Sequence, residues 1–142
     1  MKNKQRTFSY KVESGGIVYE LIARFLKEGK PKIELSDNRI RKVLSFIRKN
    51  IYKPMNIDTL AEISCLSKDH FIRLFHKEIG ITPLQYINQK KIERAQLILI
   101  TENIPVKNIA YLLSYEDHSY FNRLFKKTTG VAPQQYRGMY KK

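Results

Sequence analysis

FIRLFHKEIGITPLQY, residues 71–86, recurs as FNRLFKKTTGVAPQQY at residues 121–136. At a spacing of 50, nine positions are identical: Phe71/Phe121, Arg73/Arg123, Leu74/Leu124, Phe75/Phe125, Lys77/Lys127, Gly80/Gly130, Pro83/Pro133, Gln85/Gln135 and Tyr86/Tyr136. Upstream, Ile57, Leu60 and Ala61 pair with Val106, Ile109 and Ala110 at a spacing of 49. The second copy therefore holds one extra residue within Ser114–Tyr120, between two helix-like runs, where a turn is expected. Two copies are too few for a solenoid. They read as two related units side by side.

Each copy punctuates itself as helix, turn, helix. Asn56 caps a short helix carrying Ile57, Leu60, Ala61 and Ile63. After the turn Ser64–Leu66, Ser67 caps a second helix in which Phe71, Leu74, Phe75 and Ile79 share one face. Gly80 suits the left-handed position that closes a helix. Small Ala61 lets the two helices approach closely, as a helix-turn-helix requires. Thr82–Pro83 then opens a long helix to about Thr101, with Leu84, Ile87, Ile92, Ala95, Ile98 and Leu99 as its core face. The second copy repeats the order: a short helix from Pro105 with Val106, Ile109, Ala110 and Leu113, the turn Ser114–Glu116, a helix from about Asp117 to Thr129, Gly130, and a last helix from Pro133.

Upstream of both copies, Ser36 is the expected cap of a helix whose apolar residues are Ile40, Val43, Leu44, Ile47 and Ile51. Residues 1–35 form an N-terminal extension: a polar, basic lead, an amphipathic helix near residues 15–28 bearing Ile17, Val18, Leu21, Ile22, Phe25 and Leu26, and a linker. The expected fold is all-α. Two helix-turn-helix subdomains, at about 56–80 and 105–130, are joined by a connecting helix at about 82–101, giving seven helices in residues 36–142 plus the N-terminal one. No stretch shows sustained alternation of the strand type.

The 142 residues suit one domain or two very small ones, and 42% hydrophobic residues suffice for a core. The net charge of +14 points to a polyanion, nucleic acid or an acidic membrane surface. A single cysteine, Cys65, fits the reducing cytoplasm and permits no internal disulfide. No apolar run approaches the ~18 residues of a membrane span, and MKNKQRTFSY lacks the apolar region of a signal peptide.

A helix-turn-helix offers the exposed face of its second helix to the DNA major groove. With the inward residues fixed by apolar spacing, Lys68, Asp69, Ile72, Arg73 and His76 remain on the first such face. His118, Ser119, Asn122, Arg123 and Lys126 remain on the second. Arg bonds guanine O6 and N7 bidentately, Asn bonds adenine N6 and N7, and an apolar group such as Ile72 meets a thymine methyl. Lys77 and Lys127, near their helix ends, are candidate phosphate contacts, as is Arg137. Tyr86 and Tyr136 are read as packing groups. The alternative is that these faces are merely solvated, with the arginines touching phosphate only.

On these residues the chain resembles the AraC/XylS-type transcription regulators. The run LLSYEDHSYFNRLFKKTTGVAPQQYR, from Leu112 to Arg137, is similar to that family's C-terminal signature, and the likeness covers about Asn38–Met139. It implies a seven-helix DNA-binding domain that places two recognition helices in successive major grooves of one DNA face. Double-stranded DNA is the implied partner and RNA polymerase a candidate second one. One departure is visible: Ser114–Tyr115 stands where the family usually has Gly-Phe, so Ser114 must adopt a turn conformation that Gly reaches more cheaply. Family members usually carry an N-terminal regulatory or dimerisation domain. The helix near residues 15–28 then reads either as a remnant of that domain, available for dimerisation or domain packing, or as part of a short stand-alone regulator.

Other chemistries find little support. His70, His76 and His118 show no zinc-type spacing with cysteine or acidic residues, and no phosphate-cradling glycine loop occurs. Cys65 is expected to be packed in its turn and not nucleophilic. No cofactor and no metal is expected. A non-specific RNA-binding or anionic-membrane-binding helical protein is the remaining alternative, and the doubled helix-turn-helix argues against it.

Overall fold

In the computed structural model, residues 36–141 are described; the expected helix near residues 15–28 lies outside them. The described residues form seven helices: α1 (Asn38–Lys49), α2 (Ile57–Ile63), α3 (Lys68–Ile79), α4 (Pro83–Thr101), α5 (Val106–Leu112), α6 (His118–Thr129) and α7 (Pro133–Tyr140). The all-α expectation holds for this region.

Two hydrophobic cores result. The first gathers Ile40, Val43, Leu44 and Ile47 of α1, Leu60 and Ala61 of α2, Phe71 and Phe75 of α3, and Ile87 of α4. The second gathers Ile92, Ala95, Ile98 and Leu99 of α4, Ile109 and Ala110 of α5, Phe121 and Phe125 of α6, with Leu113 and Tyr115 from the turn. The start of α4 thus completes the first unit as α7 completes the second. Its later half opens the second unit as α1 opens the first. Tyr86 and Tyr136 pack edge-on against Phe75 and Phe125 at centroid distances of 5.7 and 5.5 Å. Their role is packing. Phe75 and Phe125 are both fully buried, at equivalent places.

The turns inside the two units are the same device. After α2, the Cys65 N–H donates to Glu62 O at 2.9 Å and the Leu66 N–H to Ala61 O at 3.1 Å. After α5, the Ser114 N–H donates to Tyr111 O and the Tyr115 N–H to Ala110 O, both at 2.9 Å. This pair of bonds satisfies the last carbonyls of a helix and demands a left-handed residue. Cys65 (φ 56°) and Ser114 (φ 61°) supply it without being glycine, at a cost of roughly 1–2 kcal/mol each. The repeat stays in register at 49 through Tyr115 and resumes at 50 with Asp117, whose side chain caps α6; Ser67, at the same place before α3, makes no side-chain cap bond. The inserted residue is Glu116. Cys65, expected to be packed, is exposed.

Two further details differ from the sequence reading. The N-cap of α1 is Asp37, which accepts from the Arg39 N–H at 2.8 Å, and not Ser36. Ser36 instead donates its hydroxyl (2.6 Å) and its N–H (3.1 Å) to the Glu78 carboxylate, tying the start of the domain to the end of α3. Leu84 is 56% exposed, since Pro83 takes the buried place in the first turn of α4. The cap of α4 is a full reciprocal box between Thr82 and Gln85 (3.3 and 2.9 Å). In α7, Ala132 has no side-chain oxygen, so only the Gln135 half is made, at 3.2 Å.

Either Phe75→Ala or Phe125→Ala should destabilise the domain by ~3–5 kcal/mol in chemical denaturation. A change in neither would contradict the paired cores. Asp37 titrates well below an ordinary carboxylate, at about 2, chiefly because the Arg39 side chain and N–H hydrogen-bond to its charged form. A depressed native pKa stabilises at pH above the unfolded value and is lost as pH falls through the native one. Asp37→Ala should therefore lower the melting temperature at neutral pH, and the difference from the parent chain should disappear between pH 4 and pH 2.

Candidate nucleic-acid interface

Helices α3 and α6 are each pinned by two inward phenylalanines one helical turn apart, Phe71 with Phe75 and Phe121 with Phe125. That anchoring turns the opposite face of each helix to solvent. On α3, Lys68, Asp69, Arg73, His76 and Lys77 are exposed as expected. Ile72 is half-buried and packs against the first core, so only part of it is available to a thymine methyl. Lys68 pairs with Asp58 of α2 at 3.1 Å, with both side chains more than half exposed. Such a pair is weak and yields readily to a phosphate.

On α6, Ser119, Arg123, Lys126 and Lys127 are exposed, while His118 and Asn122 are half-buried. Arg123 stands 3.9 Å from Asp117, a loose pair in solvent. Asn122 Nδ2 lies 3.2 Å from His118 Nε2, and Asn122 Oδ1 is buried without a hydrogen-bond partner. The amide is thus engaged by its neighbour one turn back. Reading an adenine with both its groups requires the side chain to turn away from His118. Sequence spacing put Asn122 on the face away from the phenylalanines but could not show this local bond.

Arg137 is placed differently from the sequence expectation of a phosphate contact. Its guanidinium donates to Leu99 O at 3.4 Å and to Ile104 O, across the end of α4 and the loop after it. Lys141 adds a bond to Glu102 O at 2.9 Å. Both cations satisfy carbonyls that the end of α4 leaves open, and they hold α7 against α4. Nothing in the spacing of Arg137 distinguished a clamp from a surface cation.

A surface the sequence reading missed lies beside Arg123. A shallow groove of about 430 Å³ runs between His118, Asn122, Arg123 and Lys126 on one wall and Ala132, Pro133 and Gln134, at the start of α7, on the other. Its exposed lining is almost wholly apolar, with Val106 beside Ala132 and Pro133, and the start of α7 brings no free N–H there, since Pro133 has none and the Ala132 N–H donates to Gln135. The repeat gave no usable signal, because the counterpart of Gln134 is Leu84, which the apolar spacing placed on the core face.

Comparison with known proteins now bears on this geometry. A family model described as a helix-turn-helix domain matches residues 60–139. The arabinose operon regulatory protein of Escherichia coli is 31% identical over 102 residues, which are 71% of this chain and 35% of that protein. The chain belongs to the AraC/XylS family. The bifunctional transcriptional activator/DNA repair enzyme AdaA of Bacillus subtilis is 35% identical over 99 residues, 70% of this chain and 47% of AdaA. The C-terminal domain of AraT, a response regulator from Geobacillus stearothermophilus, superposes with a TM-score of 0.73 at 26% identity, covering 77% of this chain and 90% of that structure. The DNA-binding domain of AdpA, solved in complex with a target DNA, superposes with a TM-score of 0.70 over 73% of this chain and 94% of that structure. At 23% identity this last likeness shows the fold. The chain spans about a third of the length of the arabinose regulator.

The two assignments for Arg137 separate experimentally. As a clamp, Arg137→Met should destabilise the domain by about 1.5–3 kcal/mol, the range for hydrogen bonds to charged groups, while leaving the salt slope of DNA binding unchanged. A slope reduced by about one, with stability intact, would restore the phosphate contact.

Proposed function

We propose that the chain is a sequence-specific, duplex-DNA-binding transcription regulator that sets α3 and α6 into successive major grooves of a promoter site. One observation carries this reading. The same helix-turn-helix is built twice, with Arg73 and Arg123 exposed at equivalent positions, on either side of one continuous helix. The 19 residues of α4 span about 28 Å. Successive major grooves on one DNA face lie ~34 Å apart, a difference that modest DNA bending closes.

In this reading the base-reading candidates are Lys68, Asp69, Ile72, Arg73 and His76 in one groove, and His118, Ser119, Asn122, Arg123 and Lys126 in the other. Lys77 and Lys127 lie toward the phosphates. Arginine is the strongest candidate on each face, being exposed and able to bond guanine bidentately. RNA polymerase, and a second copy or a regulatory domain meeting the segment near residues 15–28, are the further partners. The AraC/XylS family is one of transcription regulators, and we assign no catalysis; the repair activity in AdaA's name is said of AdaA alone. No helix among the described residues is long and apolar enough to cross a membrane.

From Ser36 onward the chain carries 19 Lys and Arg against 9 Asp and Glu. Affinity for a site selected from random duplexes should fall steeply with salt as counterions are released. The selected site should hold two different boxes about one helical turn apart. Arg73→Ala should relax one box and Arg123→Ala the other, each by ~1–3 kcal/mol. A flat salt plot, or one substitution relaxing both boxes alike, would defeat the two-groove reading. So would stronger binding to RNA or anionic vesicles than to duplex DNA.

A further inference from the structure

The two units are joined by more than α4. In the loop between α1 and α2, the Tyr52 carbonyl accepts the Ser114 hydroxyl at 2.5 Å, a direct bond from the first unit to the α5–α6 turn of the second. The Tyr52 hydroxyl accepts from Arg94 of α4, whose guanidinium also lies over the Tyr52 ring at 5.4 Å. Tyr115 donates its hydroxyl to Asn88 Oδ1 at 3.1 Å, and Asn88 Nδ2 reaches the Tyr120 hydroxyl at 3.5 Å. Lys91 lies over the Tyr115 ring at 5.1 Å. These groups cluster where α4 passes from the first core, at Ile87, to the second, at Ile92.

The first unit shows that the hydroxyls are not needed to form the turn. Its equivalents of Ser114 and Tyr115 are Cys65 and Leu66, which close the same left-handed turn with the same two backbone bonds. Cys65 is exposed and Leu66 packs on its own core. The hydroxyls thus occur in the copy whose turn faces the other unit. Burial raises the pKa of Tyr115, which keeps its hydroxyl a donor.

We propose that the Ser114 and Tyr115 hydroxyls are positioning groups that lock the two helix-turn-helix units at one separation and angle, so that the chain accepts one spacing between its two boxes. The second clause rests on the two-groove reading above. The geometry makes small motions matter. A rotation of roughly 15° over a lever of about 14 Å, half of α4, moves a recognition helix by about 3.7 Å. That is close to the ~3.4 Å rise of one base pair.

Two readouts on the full chain test this. Spin labels at Glu62→Cys on α2 and Lys107→Cys on α5, in a Cys65→Ser background, report the distance between the units. The Ser114→Ala/Tyr115→Phe variant should broaden that distribution. Ser114→Gly/Tyr115→Phe, which removes the same hydroxyls and relieves the left-handed strain, should broaden it equally and guards against misfolding. Binding is then measured on the selected duplex with one base pair added or removed between the boxes. The parent should lose roughly tenfold or more, the order of one mismatched base pair; the variants should lose under threefold. Unchanged distances in both variants would overturn the lock, and so would broadened distances with an unchanged spacing profile. If the parent binds two boxes no better than one, the two-groove reading fails, and the lock is decided by the distances alone.

Discussion

Helix α4 is buried in two cores at once, and the rest of the domain is arranged around that constraint. Its first turns close the unit built on α1, α2 and α3. Its later turns, through Ile92, Ala95, Ile98 and Leu99, open the unit completed by α5, α6 and α7. Ile40, Val43 and Ile47 of α1 and Ile92, Ala95 and Leu99 of α4 have the same internal spacing, so one helix stands in for two. A helix that must satisfy two cores has to change its buried face along its length. Lys91 lies at that change, 5% exposed, with its pKa lowered by burial. A cation is tolerable there because its stem is covered while its ammonium lies over the electron-rich face of Tyr115.

What the sequence made legible is what a local rule can reach. Apolar spacing found the helices. Paired glycines with left-handed φ ended α3 and α6, both at φ 86°. The doubled motif found the two units, and the mismatch between spacings 49 and 50 located the insertion to within a turn. Two of the failures share a cause, a partner far away in the chain. Ser36 lost the cap of α1 because Glu78, 42 residues on, captures it. Arg137 faces carbonyls 38 and 33 residues earlier. Asn122, like Leu84 and Cys65, is a local case. His118 lies one turn back, yet spacing alone cannot say whether two polar neighbours face each other or the groove.

The strained turns follow from the same economy of structure. A helix-turn-helix needs its second helix to leave the first at a steep angle within three or four residues. The left-handed residue after α2 and after α5 produces that change of direction. Glycine would reach it without steric cost, but glycine brings no side chain. In the second unit, the side chain at that point is what meets Tyr52. Strain at Ser114 and contact at Ser114 are therefore one choice. Cys65 shows the same strain with its side chain exposed.

Charge and geometry then divide the labour of recognition. The basic surface supplies attraction that is nearly indifferent to sequence, and it would act on any polyanion. Discrimination needs side chains held where base edges are. Here that holding descends through a chain of contacts: paired phenylalanines orient α3 and α6, the two cores fix those helices to α4, and the contacts around Tyr52 and Asn88 fix one core to the other. Arg73 and Arg123 are equivalent within their units, yet their neighbours differ: Asp69, Ile72 and His76 on one face, Ser119, Asn122 and Lys126 on the other. A tandem repeat with unlike reading faces has no two-fold axis to impose on DNA. In the proposed two-groove reading, the asymmetry of the site follows from a single chain, whose repeated backbone carries different side chains on its two faces.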